Sequence, residues 1–428
     1  MNSGDTAWML ISSGLVFLMT PAVAFFYGGM VRAKAVLHMM MLSVGAIAVV
    51  ALAWAACGWS IAYAGKSVGG VFGNPFTGAF FHDVIAVKDG VYTSSADTGT
   101  GAYPVTVDAF FQMTFAIITV ALISGALAER VKFSTWLVFT LLWVIFDYAP
   151  MAHMVWNKGL LSADGAISKF FGVPAHDFAG GTVVHINAAI AALVVAMIVG
   201  RRKGFGAAAF KPHNVPFVLL GAFLLWFGWF GFNGGSAFAA NGTAAYAIIT
   251  TTLCAGAATL GWLLVEKIRT KHATPVGAAS GMVAGLVGIT SSADVVSPLA
   301  SIIIGLIVGA VCCVAISVKF KLGIDDSLDV VGVHGVGGVL GTVFVGVFSA
   351  GSGLVTHGDF RLALVQIIIA LIAIIFSAAV TFAIAFALEK TMGWRSSTYA
   401  EITGIDVVQH GERSYDFTST SLSIGRHA

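Results

Sequence analysis

Eleven stretches of this 428-residue chain stay apolar for the ~20 residues that an α-helix needs to cross roughly 30 Å of hydrocarbon. They fall at 6–30, 37–63, 106–128, 133–153, 180–199, 215–233, 244–268, 275–293, 297–316, 328–349 and 361–388. Lipid offers no partner for a backbone N–H or C=O, so runs of this length have to be helices packed on helices. Charged residues make up only 10% of the chain, against about 25% in an ordinary soluble protein. Its 51 glycines suit helices that approach closely in a bilayer. The first stretch lacks the basic start and small-residue cleavage site of a signal peptide and reads as a true span. The expected fold is an all-α polytopic membrane protein, with an eleven-helix domain at 1–388 and a tail at 389–428.

Lysine and arginine orient it. Loops after the odd-numbered spans up to the ninth carry thirteen, among them Arg32, Arg130, Arg201, Arg202, Lys203 and Lys319, whereas the opposite loops carry five. Basic residues mark the cytoplasmic side, so the N-terminus is expected outside and the tail inside. The net charge of +2 says nothing about partners.

Span 5 holds His185, with Asp177 eight residues before it; span 10 holds His334, with Asp329 before it, and glycine and valine flank both histidines. Spans 1–5 and 6–10 then read as two copies. Because five is odd, the second copy is inverted, and span 11 is appended. Intramembrane histidines usually face a bundle interior or a pathway, although a lone one is often only a satisfied core residue. Counting from the span ends puts the two rings several ångströms to opposite sides of the midplane. Only a broken or displaced helix closes that gap.

The topology also gathers polar and aromatic residues at one outer level: Trp156 at the end of span 4, Phe232 and Ser236 at the end of span 6, and Asp177 before span 5. Phe115 lies roughly 13 Å into span 3. A tryptophan face attracts a cation, a hydroxyl accepts an N–H, and a carboxylate favours nearby positive charge. Taken alone, Trp156 is also what an interfacial anchor looks like, and Asp177 reads better as a helix N-cap than as a direct ligand, a role in which it still biases the vestibule towards cations. Cys57, Cys254, Cys312 and Cys313 all fall within spans, with no disulfide or metal spacing, and read as small core residues. Covalent catalysis finds little support: AASG at 278–281 misses a serine-nucleophile spacing, and no His-Glu-x-x-His is present. A 40-residue tail is short for an output domain of its own. Nothing in the pattern calls for a cofactor, a metal or a nucleic acid.

Several stretches carry a resemblance: AFFYGG (24–29), FQMTFAIITVALISGALAER (111–130), YAPMAHMVW (148–156), DFAGGTVVHINAAIA (177–191), FKPHNVP (210–216), GWFGFNGGS (228–236), DVVGVHGVGG (329–338) and GIDVVQHGERSYDF (404–417). In order and nearly end to end, they resemble the Amt branch of the ammonium transporter (Amt/Mep/Rh) family. The resemblance implies an eleven-helix protomer with the inverted repeat, assembled as a homotrimer in the cell (inner) membrane. It implies that Trp156, Ser236 and Phe115 form an outer ammonium site, and that Phe115 and Phe232 are the rings closing the pore below. His185 and His334 would be twin histidines lining an apolar lumen, and Asp177 an acid that shapes the vestibule. Ammonium, with methylammonium as analogue, would be captured as NH4+, deprotonated and conducted as NH3, with the proton crossing by the histidines as a family-level expectation. A PII-type nitrogen-signalling protein would be the cytoplasmic partner, docking on the loop of Arg201 to Lys203 and on the tail; a sensor acting through that partner is the alternative. Asp147 puts an acid where the pattern has a neutral residue, and it has no assignment. Loop 64–105 reads as variable surface, and the polar end after Tyr415 as a mobile terminus.

Overall fold

The fold is known from a computed structural model that describes residues 1–95, 103–207 and 210–415. Part of the Gly/Ser/Thr-rich stretch and the polar end after Tyr415 therefore lie outside the described residues. Ten helices among those described are long and apolar enough to span a bilayer: α1 (Ser3–Met30), α2 (Val36–Ala64), α3 (Val105–Leu127), α4 (Phe133–Trp156), α5 (Gly181–Val199), α6 (Val215–Gly235), α7 (Gly242–Thr270), α9 (Pro298–Leu322), α10 (Val331–Phe348) and α11 (Arg361–Thr391). The remaining span is α8 (Pro275–Ile289), a shorter helix of 15 residues. Helix starts follow local chemistry. Asn214, Thr274 and Ser297 each accept the backbone N–H three residues on, and proline occupies the first or second helical position after each. The described part of the loop between α2 and α3 carries two small antiparallel hairpins, Ser67–Val68 with Phe72–Gly73 and Ile85–Lys88 with Val91–Ser94.

Two helix pairs related by the repeat meet at the centre, α1 against α6 and α5 against α10. The α1–α6 seam is close because α6 offers glycine to it: a Cβ on Gly221 would stand 2.4 Å from the Phe26 backbone nitrogen.

α8 ends early, at Ile289 instead of near 293, for a physical reason. Its trailing carbonyls, of Thr290 and Ser291, accept the N–H groups of Ala179 and Phe178 (both 3.2 Å), which lead into α5. The mirror suture joins the other half: Gly125 and Ala126, at the end of α3, accept from Leu328 (3.1 Å) and Ser327 (3.4 Å), which lead into α10. Each half thus stitches the entrance of its partner's interrupted helix, which is the inverted repeat expressed as hydrogen bonds. The repeat corrects one sequence pairing. Asp326, not Asp329, is the counterpart of Asp177, because it too stands eight residues before its histidine and its carboxylate receives Val330 N (3.0 Å) and Val331 N (2.8 Å). Asp329 instead matches Gly180: both have positive φ, 63° and 111°. Its carboxylate pairs with Lys319 at 2.5 Å.

Residues 392–415 pack back on the face where odd-numbered helices end. Asp406 accepts Leu37 N (3.1 Å) and His38 N (2.8 Å) at the start of α2. Gln409 accepts Phe133 N (2.8 Å) at the start of α4. On the same face a buried carboxylate, Asp325, takes a bidentate guanidinium from Arg202 (both contacts 2.9 Å) and lies 3.9 Å from Arg130. Burial pushes the Asp325 carboxyl upward, but the two arginines outweigh it and hold it below the usual carboxylate range. Burial also lowers the Arg130 guanidinium to about 10, which leaves it charged at neutral pH.

Asp325→Ala leaves two buried guanidiniums without their carboxylate. The expected loss is about 3–5 kcal/mol, read as a lower thermal unfolding midpoint in detergent. Because the folded value is the depressed one, the Asp325 contribution is present at neutral pH and is lost as pH falls below roughly 4. The parent and the variant should therefore converge in stability under acid, and midpoints taken across pH check this.

Candidate functional site

The site is built where α5 and α10 begin inside the protein. Gly180 carries φ 111° and lets the chain turn into α5 where a side chain would be strained. At Gly181 a Cβ would sit 1.7 Å from the Ser291 hydroxyl, which would have to turn away, and 3.1 Å from the Ser291 Cβ. The first turns of both helices, Gly181–Ile186 and Val331–Gly335, are wound wide as π-helix. Such turns rotate the following side chains out of ordinary register. They close the gap that residue counting left open: His185 and His334 stand with Nδ1 atoms 3.2 Å apart and rings stacked at 5.3 Å.

Asp177 is the cap of this arrangement. Its two carboxylate oxygens accept the N–H groups of Gly180, Gly181, Thr182 and Val183 at 2.9, 2.8, 2.9 and 3.3 Å. That consumes the donors that an α-helix start leaves over, and the N-cap reading of Asp177 accounts for its whole bonding capacity. Its backbone carbonyl accepts the Trp156 indole N–H at 2.8 Å, which fixes the plane of that ring.

On the face where the chain begins, a cavity of about 270 Å³ is lined in part by Trp156, Ser236 and Phe115. The Ser236 hydroxyl donates to the Phe232 carbonyl (2.8 Å), leaving its lone pairs for a donor arriving from the cavity. Phe115 meets Trp156 edge-on, with centroids 5.9 Å apart at 86°, and stacks on Phe232 at 4.2 Å and 22°. Both phenylalanines are buried. They separate the cavity from a second one that holds the histidines and is walled by apolar side chains, among them Val23, Ile118 and Leu225. Its volume is about 10 Å³, the room of a single water-sized molecule.

Two imidazole nitrogens at 3.2 Å are in contact only if one carries a hydrogen and the other a lone pair. With both rings neutral, each then uses its Nε2 oppositely, one as acceptor and one as donor. His185 Nε2 is buried with no partner among the described residues. Its ring lies against Trp229 at 5.5 Å and Phe232 at 6.1 Å, which also touch each other.

These features coincide with a family. The Ammonium Transporter Family matches residues 7–415. The chain belongs to that family. It is 47% identical to an ammonium transporter of Mycobacterium tuberculosis over 99% of this chain and 92% of that one. It is 45% identical to one of Aquifex aeolicus, over 97% and 94%. Among solved structures, Candida albicans Mep2 superposes with a TM-score of 0.84 at 30% identity, covering 97% of this chain and 91% of that one. A structure described as a sensor Amt protein gives 0.84 at 29%, covering 95% and 98%. This transporter is therefore a multi-pass membrane protein that carries ammonium, not an enzyme.

Six of the seven residues singled out in the sequence follow one path, from Trp156, Ser236 and Phe115 at the first cavity past Phe232 to the His185–His334 pair, whereas Asp177 lines neither cavity and acts through the start of α5 and the Trp156 indole. Asp147 does not join them. It is buried between α4 and α11, where the Thr381 hydroxyl lies 3.5 Å from its carboxylate, and it lines neither cavity. Sequence reasoning missed Trp229, which lies four residues after Leu225 and three before Phe232 on the lumen face of α6, a spacing that marked it. It also missed Asp326, whose eight-residue distance from His334 repeats that of Asp177 from His185.

Asp177→Ala strands four backbone N–H groups at once. Each such buried loss costs about 1–3 kcal/mol, so the variant should be poorly recovered from the membrane and unfold at a lower temperature than Asp177→Asn, whose side-chain oxygen keeps part of the cap. Expression yield and thermal midpoint measured side by side check this; equal behaviour of the two variants would contradict the cap.

Proposed function

We propose that this transporter captures NH4+ in the Trp156/Ser236/Phe115 cavity, takes its proton at or above the phenylalanine stack, and conducts NH3 along the two histidines. The single observation that carries the reading is the contact of His185 with His334 at 3.2 Å, in an apolar passage sealed by Phe115 on Phe232. In the outer cavity the Trp156 face contributes roughly 0.5–2 kcal/mol to holding a cation, and the Ser236 lone pairs receive one N–H. Below the stack, an unpaired charge meets walls that carry no carboxylate among the described residues, a prohibitive penalty for K+ and NH4+ alike. NH4+ escapes it by leaving a proton behind, which K+ cannot do. Neutral NH3 is both donor and acceptor and so matches the one donor and one acceptor that the imidazole pair displays. Since the Nδ1 atoms already share a hydrogen, the pair can also pass a proton, giving net charge movement.

The excess of basic residues in the loops after the odd-numbered spans supports a cell (inner) membrane protein with the N-terminus outside and the tail inside, and the family resemblance supports a homotrimer with one pore per subunit. A PII-type protein docking at the inner face is supported by exposed Arg201 and Lys203 beside the packed tail. Arg202 is not available for that role, being buried against Asp325. The sensor reading, in which the same site reports ammonium through such a partner, is favoured by the likeness to the sensor Amt protein.

In proteoliposomes on a supported membrane, ammonium or methylammonium should evoke a transient current and K+ none. His185→Ala or His334→Ala should abolish the ammonium current or let K+ through. A variant that kept both rate and selectivity would sink the histidine mechanism. Trp156→Leu should weaken capture while the protein still folds. The partner is tested by pull-down with a PII protein, with and without nucleotide; indifference to nucleotide removes it.

A further inference from the structure

Asp177 was expected to make the outer cavity attractive to cations, yet its carboxylate is spent on four backbone N–H groups and it does not line that cavity. A different acid does. Asp108 is the one charged side chain among the described residues that line it. It sits one turn into α3, seven residues before Phe115, so it shares the Phe115 face and stands roughly 10 Å further out. Gln112, between them on the same face, also lines the cavity, and the Tyr63 hydroxyl holds its side-chain oxygen at 2.8 Å.

The environment of Asp108 is half prepared for a cation. The Tyr103 hydroxyl donates to Oδ1 at 3.0 Å and fixes the carboxylate, and it is the one hydrogen-bond partner of Asp108 among the described residues. No lysine, arginine or histidine among the lining residues neutralises it. The remaining oxygen, Oδ2, is left with its lone pairs in a cavity whose other polar groups are tyrosine hydroxyls, a glutamine and Ser236. We propose that Asp108 is a loading site for monovalent cations, where NH4+ waits before it descends to Trp156, Ser236 and Phe115. This rests on the outer-site reading and adds to it the residue that concentrates the substrate.

The division of labour follows from chemistry. A carboxylate attracts K+ as well as NH4+, so Asp108 sets how often the inner position is filled and not which ion is transported. Selectivity stays with the phenylalanine stack and the histidines. Asp108 therefore matters when ammonium is scarce and fades at saturation. An acid in the first turn of a helix also opposes the helix dipole, but that service would not depend on substrate concentration.

The test compares the parent with Asp108→Asn, Asp108→Glu and Trp156→Leu in proteoliposomes, recording ammonium-evoked current against ammonium concentration. Asparagine keeps the acceptor for Tyr103 and removes the charge. Its half-saturating concentration should rise by about fivefold, with most of the current recovered at high ammonium. Asp108→Glu should stay within twofold of the parent. Added KCl should raise the half-saturating concentration of the parent more than that of Asp108→Asn, because K+ competes at a site the variant lacks. An Asp108→Asn curve within twofold of the parent overturns the proposal, and so does equal impairment of the Asn and Glu variants. If Asp108→Asn is unchanged while Trp156→Leu shifts, the loading site falls and the outer site stands. If Trp156→Leu is unchanged while Asp108→Asn shifts, the outer-site reading fails and the acid remains.

Discussion

Two carboxylates that gather the N–H groups of helices beginning inside the protein hold the rest of the structure in place. A helix start at membrane depth exposes backbone donors that neither lipid nor a dry lumen satisfies. Asp177 receives four of them and Asp326 two. The extended segments before the two helices are tied down in turn by the carbonyls of α8 and α3. Once those starts are fixed, the π-wound turns that follow have no freedom to slide, and the histidines eight residues after each aspartate arrive at one point from opposite halves of the fold. The acids are thus remote from the chemistry in contact and decisive for it in geometry.

The number, order and approximate limits of the helices were legible because a 20-residue apolar run has one stable use in a bilayer. Composition sets limits only coarsely: α8 stops at Ile289, where the chain turns polar at Thr290, Ser291 and Ser292, and the carbonyls of Thr290 and Ser291 are taken by the segment that leads into α5. The pairing of Asp329 with Asp177 went wrong for a similar reason. Composition around the histidines favoured the nearer acid, whereas the repeat conserves the distance along the chain, so that a left-handed Asp329 takes the place of left-handed Gly180. The Trp156, Ser236, Phe115 and Phe232 set was foreseen by placing span ends on one face. Asp108 was invisible to that reasoning, since a single acid near a helix start says nothing of which way it faces.

The two cavities differ in what they can do for a charge. The outer one offers aromatic faces, hydroxyls and one carboxylate in about 270 Å³, room enough for a cation to keep part of its water. The inner one is close to the volume of one small molecule; besides the two imidazoles its polar lining residues are Tyr27 and Trp229, whose O–H and N–H are already given to the Leu122 carbonyl and the Thr290 hydroxyl. Between them the Phe115–Phe232 stack is a step in dielectric as much as a steric gate. On the proposed reading, affinity and selectivity are assigned to different sides of that step. The outer side gains occupancy by attraction and can be indiscriminate, and the inner side rejects whatever cannot become neutral.

That separation explains why the imidazoles can be so poorly placed as cation ligands. A histidine pair meant to bind NH4+ would need a counter-ion nearby, and the described residues around His185 supply Trp229, Phe232 and the second histidine instead. Two features, an apolar wall and a ring that shares its hydrogen with the next, disfavour storing charge and favour handing it on. On the proposed reading, a lumen built this way passes NH3 and a proton only in transit, and a polar residue added to stabilise the ion would fill the pore with the ion it is meant to exclude.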